Sequence, residues 1–74
     1  MQIYKNLGGN SNVSAFELGD NYIDVQFNGG AIYRYSYMSA GVLKVDEMKR
    51  LALQGYGLNS YIMRNVRMDY ESKR

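Results

Sequence analysis

The most constraining feature of the chain is a glycine turn between two strand-like segments, residues 22–27 (YIDVQF) and residues 31–37 (AIYRYSY). Apolar and polar residues alternate in the first segment, which is typical of a strand with one face on a core. The intervening Asn28-Gly29-Gly30 is a strong hairpin signal, because glycine adopts the positive φ that tight turns require. The two segments therefore predict an antiparallel hairpin.

The length of the turn decides which face of this hairpin the tyrosines occupy. With a two-residue loop, Val25 lies opposite Ile32 and the tyrosines fall on the polar face. With a three-residue loop, Val25 lies opposite Tyr33 and Ile23 lies opposite Tyr35, so these tyrosines join the apolar face. We favour the three-residue loop, since three large aromatic side chains on an exposed face would be costly in so small a domain.

One strand is predicted before the hairpin and a helix is predicted after it. Residues 13–18 (VSAFEL) alternate imperfectly and indicate a short first strand. After Ser39, which is a suitable N-cap, apolar residues recur with the period of a helix, and Gly55 is a natural end for it. The apolar stripe of this helix consists of Val42, Val45, Met48, Ala52 and Leu53.

A second, shorter helix is predicted at residues 60–66, capped by Asn59 or Ser60, with Ile62 and Val66 on one side. The order of elements is β-β-β-α-α. We therefore expect the α+β class, with a small three-stranded antiparallel sheet followed by two helices. The predicted organisation is a flexible N-terminal arm or edge strand at residues 1–12, a single domain at residues 13–70 and a charged tail at residues 71–74.

The composition argues against several kinds of site. The 74 residues include no cysteine and no histidine, so disulfides and ordinary zinc or iron–sulfur sites are excluded. The usual general base and the strongest nucleophile are absent too, and the seven carboxylates are scattered over turns, polar faces and the tail. We expect a protein that is not an enzyme and that uses no cofactor and no metal.

The chain has no pattern that directs it to a membrane. No segment approaches the roughly 18 consecutive apolar residues of a membrane span, and the N-terminus does not read as a signal peptide. We therefore expect a cytoplasmic protein, of a bacterial cell or a phage-infected host, with no membrane partner.

Basic residues are concentrated in the C-terminal third. The net charge of the chain is +2, yet residues 1–48 contain three bases and five acids, whereas residues 49–74 contain six bases and two acids. A basic segment of this kind indicates an anionic partner or a solvated helix face. Aromatic side chains beside basic ones are also typical of surfaces that bind single-stranded nucleic acid.

Four segments, in this order, carry a family resemblance. Ser11-Asn12-Val13 opens the first strand, and residues 25–35 (VQFNGGAIYRY) contain an apolar strand, a glycine turn and a Tyr-x-Tyr strand. A helix begins near Val42, and residues 53–66 (LQGYGLNSYIMRNV) follow it. In this arrangement, over roughly residues 11–70, the chain resembles the KTSC domain, a short module found alone and at the C-terminus of some lysyl-tRNA synthetases.

The chain departs from the family pattern at three places. Ser39 stands where the family usually has proline, Leu53-Gln54-Gly55 replaces a serine–lysine–glycine step, and Gly57-Leu58 replaces an aromatic pair. Asn59 and Ile62 match. The family has no established catalytic activity, and its attachment to a tRNA synthetase implies RNA binding by association.

These observations predict a non-catalytic binding module. Our first expectation is accessory binding of RNA or another nucleic acid through the basic C-terminal helical region, and the alternative is a small phage-type inhibitor or adaptor that binds a host protein. Either form is compatible with a homodimer. The predicted contact residues are Arg34, Tyr37, Lys49, Arg50, Tyr56, Asn59, Tyr61, Arg64 and Arg67, of which the lysine and the arginines would contact phosphates.

Overall fold

The computed structural model describes residues 1–74 and places three helices beside an antiparallel sheet of five strands. The elements are β1 (Gln2–Ile3), β2 (Val13–Leu18), β3 (Tyr22–Phe27), β4 (Ile32–Ser36), α1 (Tyr37–Ala40), α2 (Val42–Gln54), α3 (Leu58–Asn65) and β5 (Ser72–Lys73). The strands follow one another across the sheet in the order β1-β2-β3-β4-β5. The predicted α+β class is therefore confirmed.

The β3–β4 hairpin has the predicted register. The Phe27 N–H donates to the Ala31 carbonyl at 2.9 Å, which leaves three residues in the turn. Val25 accordingly lies opposite Tyr33. Both turn glycines have positive φ, +98° and +102°, in the region that side chains disfavour. The turn length thus places the tyrosine side chains of β4 on the apolar face of the sheet.

The predicted count of three strands is wrong, because β1 and β5 extend the sheet on both sides. Gln2 of β1 lies opposite Phe16 of β2, and Lys73 of β5 lies opposite Tyr33 of β4. Each added strand has only two residues, too few for an alternating pattern to be recognised in the sequence. The N-terminal segment is packed as well, since Tyr4 is only 4% exposed and belongs to the core.

The connection from the sheet to the helices differs from the prediction. β4 ends at Ser36, whose hydroxyl accepts from the Ser39 N–H at 3.1 Å, while the Ser39 hydroxyl accepts from the Ser36 N–H at 3.0 Å. This capping box starts the short helix α1, so Ser39 lies inside a helix and does not cap α2. α2 begins after Gly41 and ends, as predicted, at the left-handed Gly55.

The helices cover one face of the sheet, but the predicted stripe on α2 is only partly buried. Val42 and Leu53 are each 50% exposed, whereas Leu51 is buried. At 3.6 residues per turn, Leu51 lies on the side of Met48, and Leu53 lies beyond Ala52 on the outer flank. The core consists of Tyr4, Val13, Phe16, Ile23, Val25, Phe27, Tyr35, Val45, Met48, Leu51, Ala52, Leu58, Ile62 and Val66.

The burial of Tyr35 makes stability depend on pH in the alkaline range. Tyr35 is 1% exposed, and burial raises its pKa to about 12. An unfolded tyrosine has a pKa of about 10. The folded state therefore holds the phenolic proton more tightly, and the resulting stability is fully present below pH ~10 and is lost as the pH rises through ~12.

We expect the unfolding free energy of the wild type to fall by roughly 2 kcal/mol more than that of Tyr35→Phe across this interval, because phenylalanine keeps the ring and removes the titration. Urea denaturation at a series of pH values measures the difference. Parallel pH profiles for the two proteins would contradict the attribution of this alkaline loss of stability to Tyr35.

Candidate functional site

The predicted contact residues are spread over three regions of the molecule and do not form one basic surface. Arg34 and Tyr37 lie where β4 meets α1, and Lys49 and Arg50 lie on α2. The remaining five, Tyr56, Asn59, Tyr61, Arg64 and Arg67, lie on α3 or directly beside it. Each region has to be judged by the partners that its side chains already have within the chain.

Arg34 is held by a buried carboxylate. Its Nε and Nη2 donate to the two oxygens of Asp24 at 2.8 and 3.0 Å, and the Asp24 side chain is only 3% exposed. Arg74 reaches the same carboxylate at 3.1 Å, and the Arg34 guanidinium lies 3.8 Å from the centre of the Tyr22 ring. The hydrogen bonds to Asp24 raise the pKa of Arg34. The Asp24 carboxylate on β3 therefore holds both Arg34 of β4 and Arg74, which follows β5.

Lys49 and Tyr37 are likewise engaged within the chain. The Lys49 ammonium donates to the Gly19 carbonyl at 2.7 Å and lies 5.1 Å from the centre of the Tyr37 ring. The Tyr37 hydroxyl donates to Asp46 at 2.6 Å, which raises the pKa of Tyr37. These contacts tie the β2–β3 turn and α1 to α2.

Arg50 forms an ion pair on the surface of α2. Its Nη2 lies 2.6 Å from a carboxylate oxygen of Glu47, and the pair raises the pKa of Arg50 and lowers that of Glu47. The Arg50 Nη1 also donates to Gln54 at 3.2 Å. With Arg34 and Lys49, three of the five predicted phosphate contacts thus have partners in the chain.

Tyr56, Asn59 and Arg64 come together in a depression of about 320 Å³, which we call the polar cleft. Its lining consists of Tyr4, Asn6, Gly8, Asn10, Ser11, Gly55, Tyr56, Gly57, Asn59, Ser60 and Arg64. No carboxylate is among these residues, and Arg64 takes part in none of the ion pairs of the chain. The cleft therefore combines an unpaired positive charge with neutral polar groups.

The polar cleft owes its shape to the joint between α2 and α3. Gly55 and Gly57 both adopt the left-handed conformation, with φ of +82° and +86°, and no side chain caps α3. The Leu58 N–H donates to the Tyr4 hydroxyl at 3.3 Å, and the next two N–H groups of α3 have no partner within the chain. The Asn59 Oδ1 is buried without a hydrogen-bond donor.

A second depression, of about 450 Å³, lies between the sheet and α3, and we call it the tyrosine groove. The Tyr33 ring packs edge-to-face against Tyr70, with centroids 4.9 Å apart, and against Phe27, with centroids 5.3 Å apart. Met63 and Met68 line it and are 45% and 73% exposed. The full lining is Asn12, Phe27, Ala31, Tyr33, Tyr35, Met63, Arg67, Met68 and Tyr70.

The sequence did not single out the tyrosine groove. The predicted register places both Tyr33 and Tyr35 on the apolar face of the sheet, and Tyr35 is indeed in the core. Tyr33 is only half-buried, because α3 ends at Asn65 and the segment after it covers the sheet incompletely. Tyr70 lies in that segment, and no periodic pattern marks it. Tyr61, which was predicted as a contact, is half-buried against the core.

The polar cleft and the tyrosine groove adjoin along α3. Arg64 lines the cleft, whereas Met63 and Arg67 line the groove. Before β2, Ser11 lines the cleft and the next residue, Asn12, lines the groove. The polar cleft and the tyrosine groove are therefore neighbours along α3, with the unpaired Arg64 in the first and the unpaired Arg67 in the second.

No family model, no curated protein and no solved structure matches this chain. Among its helices, none combines the length and the apolar character needed to cross a membrane. The resemblance to the KTSC domain consequently stays a prediction, and the function has to be inferred from the two adjoining surfaces.

The different surroundings of Arg34 and Arg50 predict different costs of removal. Arg34→Ala leaves the buried Asp24 carboxylate with Arg74 alone, and we expect a loss of about 2 kcal/mol in unfolding free energy. Arg50→Ala breaks only an exposed pair and is expected to cost less than about 1 kcal/mol. Urea denaturation of both variants measures the two losses of unfolding free energy. Equal losses would show that the buried pair of Arg34 with Asp24 stabilises the fold no more than the exposed pair of Arg50 with Glu47.

Proposed function

We propose that the chain is a non-catalytic binding module for single-stranded nucleic acid. The observation that carries the proposal is the junction of the tyrosine groove and the polar cleft at Arg64 and Arg67. Single strands present unstacked bases and phosphates side by side, and proteins bind them with aromatic platforms next to basic residues. The two surfaces along α3 supply both kinds of contact.

The tyrosine groove is suited to a base. Tyr33 and Tyr70 line it, and stacking of a base on an aromatic side chain is worth about 1–3 kcal/mol. Met63 and Met68 add polarisable apolar contacts beside the rings. Because every base has a π face, this kind of contact favours single-stranded partners with little sequence preference.

The phosphate contacts of the proposal differ from those that the sequence predicted. Arg34, Lys49 and Arg50 already have partners, so Arg64, Arg67 and Lys73 take this role. Arg64 and Arg67 line the two depressions, and the Lys73 ammonium lies 5.4 Å from the centre of the Tyr33 ring. Three cations border the proposed path of the strand.

Protein binding is the second candidate, and the exposed methionines favour it. Met63 and Met68 border an apolar groove, and flexible thioether side chains suit the varied shapes of partner proteins. Under this reading the chain is an inhibitor or adaptor that holds an apolar side chain of another protein in the tyrosine groove. The unpaired arginines and the polar cleft favour nucleic acid over this alternative.

The resemblance to the KTSC domain is compatible with the first candidate. The attachment of that domain to some lysyl-tRNA synthetases points by analogy to RNA as the nucleic acid. We therefore propose RNA before DNA, and membership of the family remains part of this proposal.

The salt dependence of binding tests the proposal. With three phosphate contacts on a single strand, a plot of log K against log salt concentration is expected to have a slope of about −2. Arg67→Gln is expected to bring this slope closer to zero by about 0.7, because one contact is lost. Arg50→Gln is the matched control and is expected to keep the wild-type slope. Fluorescence anisotropy with a labelled uridine oligonucleotide gives these values.

Binding that is absent at low salt, or that is unchanged by salt, would contradict nucleic-acid binding. The second candidate would instead be supported by a pull-down that recovers one host protein in stoichiometric amount from a nuclease-treated lysate. The variant Met68→Asp must then fail to recover that protein. Light scattering of the free chain measures whether either activity belongs to a monomer or to a homodimer.

A further inference from the structure

A segment that follows α3 supplies part of the tyrosine groove. Residues 69–74, which we call the strap, return to the sheet and pair with β4 through β5. The Tyr70 ring packs edge-to-face against Tyr33, with centroids 4.9 Å apart, and lines the groove. The Lys73 ammonium lies 5.4 Å from the centre of the Tyr33 ring. The strap therefore contributes an aromatic wall of the groove and one of the cations that border it.

Few contacts hold the strap to the rest of the chain. Of its six residues only Tyr70 is half-buried, and the other five are exposed. The Glu71 N–H donates to the Arg34 carbonyl at 2.6 Å, and Ile32 and Arg74 exchange two backbone hydrogen bonds of 2.7 and 2.8 Å. Segments with little buried apolar surface and exposed backbone hydrogen bonds open at a low cost in free energy. One further anchor can therefore shift the fraction of chains in which the strap is docked.

Arg74 provides such an anchor on the opposite face of the sheet. Lys73 lies opposite Tyr33, so its side chain is on the groove face and that of Arg74, the next residue, is on the other face. There the Arg74 Nη2 donates to an oxygen of Asp24 at 3.1 Å, and the Asp24 side chain is only 3% exposed. Hydrogen bonds between two charged groups are stronger than those between neutral ones. Because Arg34 already donates twice to the same carboxylate, Asp24 keeps a partner when Arg74 is removed.

We infer that Arg74 is a positioning residue of the nucleic-acid site, because it holds the strap on the sheet and so keeps Tyr70 and Lys73 in place for the ligand. This inference rests on the proposed function and adds to it a segment whose docking controls the affinity. The apparent affinity is proportional to the fraction of chains in the binding-competent form, which here has the strap docked. By linkage, the ligand favours docking of the strap by the same factor as docking favours the ligand.

The first test is the affinity of Arg74→Gln for the labelled uridine oligonucleotide in fluorescence anisotropy. The variant is expected to bind about fivefold more weakly than the wild type, because its strap is docked in fewer chains. The slope of log K against log salt concentration is expected to stay that of the wild type, since Arg74 lies on the face away from the groove and contacts no phosphate. Arg74→Lys keeps the charge and is expected to recover part of the loss.

Ser72→Ala is the matched control, because Ser72 is an exposed residue of the same strap. It is expected to bind as the wild type does. An equal loss of affinity in Ser72→Ala and Arg74→Gln would show that Arg74 has no particular part in positioning the strap, and would overturn the inference.

Amide hydrogen exchange, measured by NMR, monitors docking of the strap directly. The Ile32 N–H donates to the Arg74 carbonyl and becomes free when the strap opens, whereas the Val45 N–H, bonded to the Gly41 carbonyl at the start of α2, reports on the rest of the fold. Arg74→Gln is expected to speed exchange at Ile32 and not at Val45. Saturation of the wild type with the oligonucleotide is expected to slow exchange at Ile32, which a purely structural role of Arg74 would not produce.

Four results would overturn the inference and leave the proposed function standing. They are unchanged affinity of Arg74→Gln, tighter binding by this variant, a salt slope closer to zero by about 0.7, and exchange at Ile32 that the oligonucleotide does not slow. Tighter binding would mean that the strap obstructs the groove, and the altered slope would mean that Arg74 contacts a phosphate. Failure of the wild type to bind the oligonucleotide overturns the proposed function and, with it, the inference.

Discussion

The third residue of the β3–β4 turn is the constraint on which the rest of the structure depends. Side chains of a strand alternate between its two faces, so a turn shorter by one residue would exchange the faces of β4 relative to β3. In the observed register Tyr33 and Tyr35 share the apolar face with Val25, and Arg34 shares the other face with Asp24. The core, the buried ion pair and the floor of the tyrosine groove all follow from this register.

Several basic side chains of this chain bind partners within the chain and so stabilise its fold. Arg34 and Arg74 converge on one buried carboxylate, Lys49 holds a turn, and Arg50 pairs along its helix. A side chain whose hydrogen bonds are already made has less to offer a phosphate, because the ligand must replace an existing partner. Counting basic residues along the sequence therefore overstates the charge that is available to a ligand. Of the basic side chains near the two depressions, Arg64, Arg67 and Lys73 form no ion pair within the chain.

Much of the fold could be predicted from local patterns, and the site could be predicted only in fragments. The hairpin, the end of α2 at Gly55 and the burial of Ile62 and Val66 follow from residue types and periods. The two-residue strands could not be predicted, because a pattern of period two needs more residues to be visible. Tyr56, Asn59 and Arg64 were among the nine predicted contact residues and line one depression in the structure, whereas the groove formed by Tyr33 and Tyr70 was not predicted.

By itself, the sequence determined the α+β class, the register of the central hairpin and the absence of cysteine and histidine chemistry, since each depends on neighbouring residues or on composition alone. The tertiary structure decided which charges are free and which aromatic side chains are accessible. These properties depend on partners far apart in the chain, such as Asp24 with Arg74 and Tyr33 with Tyr70. No local pattern specifies such pairs, because packing of the whole chain brings them together.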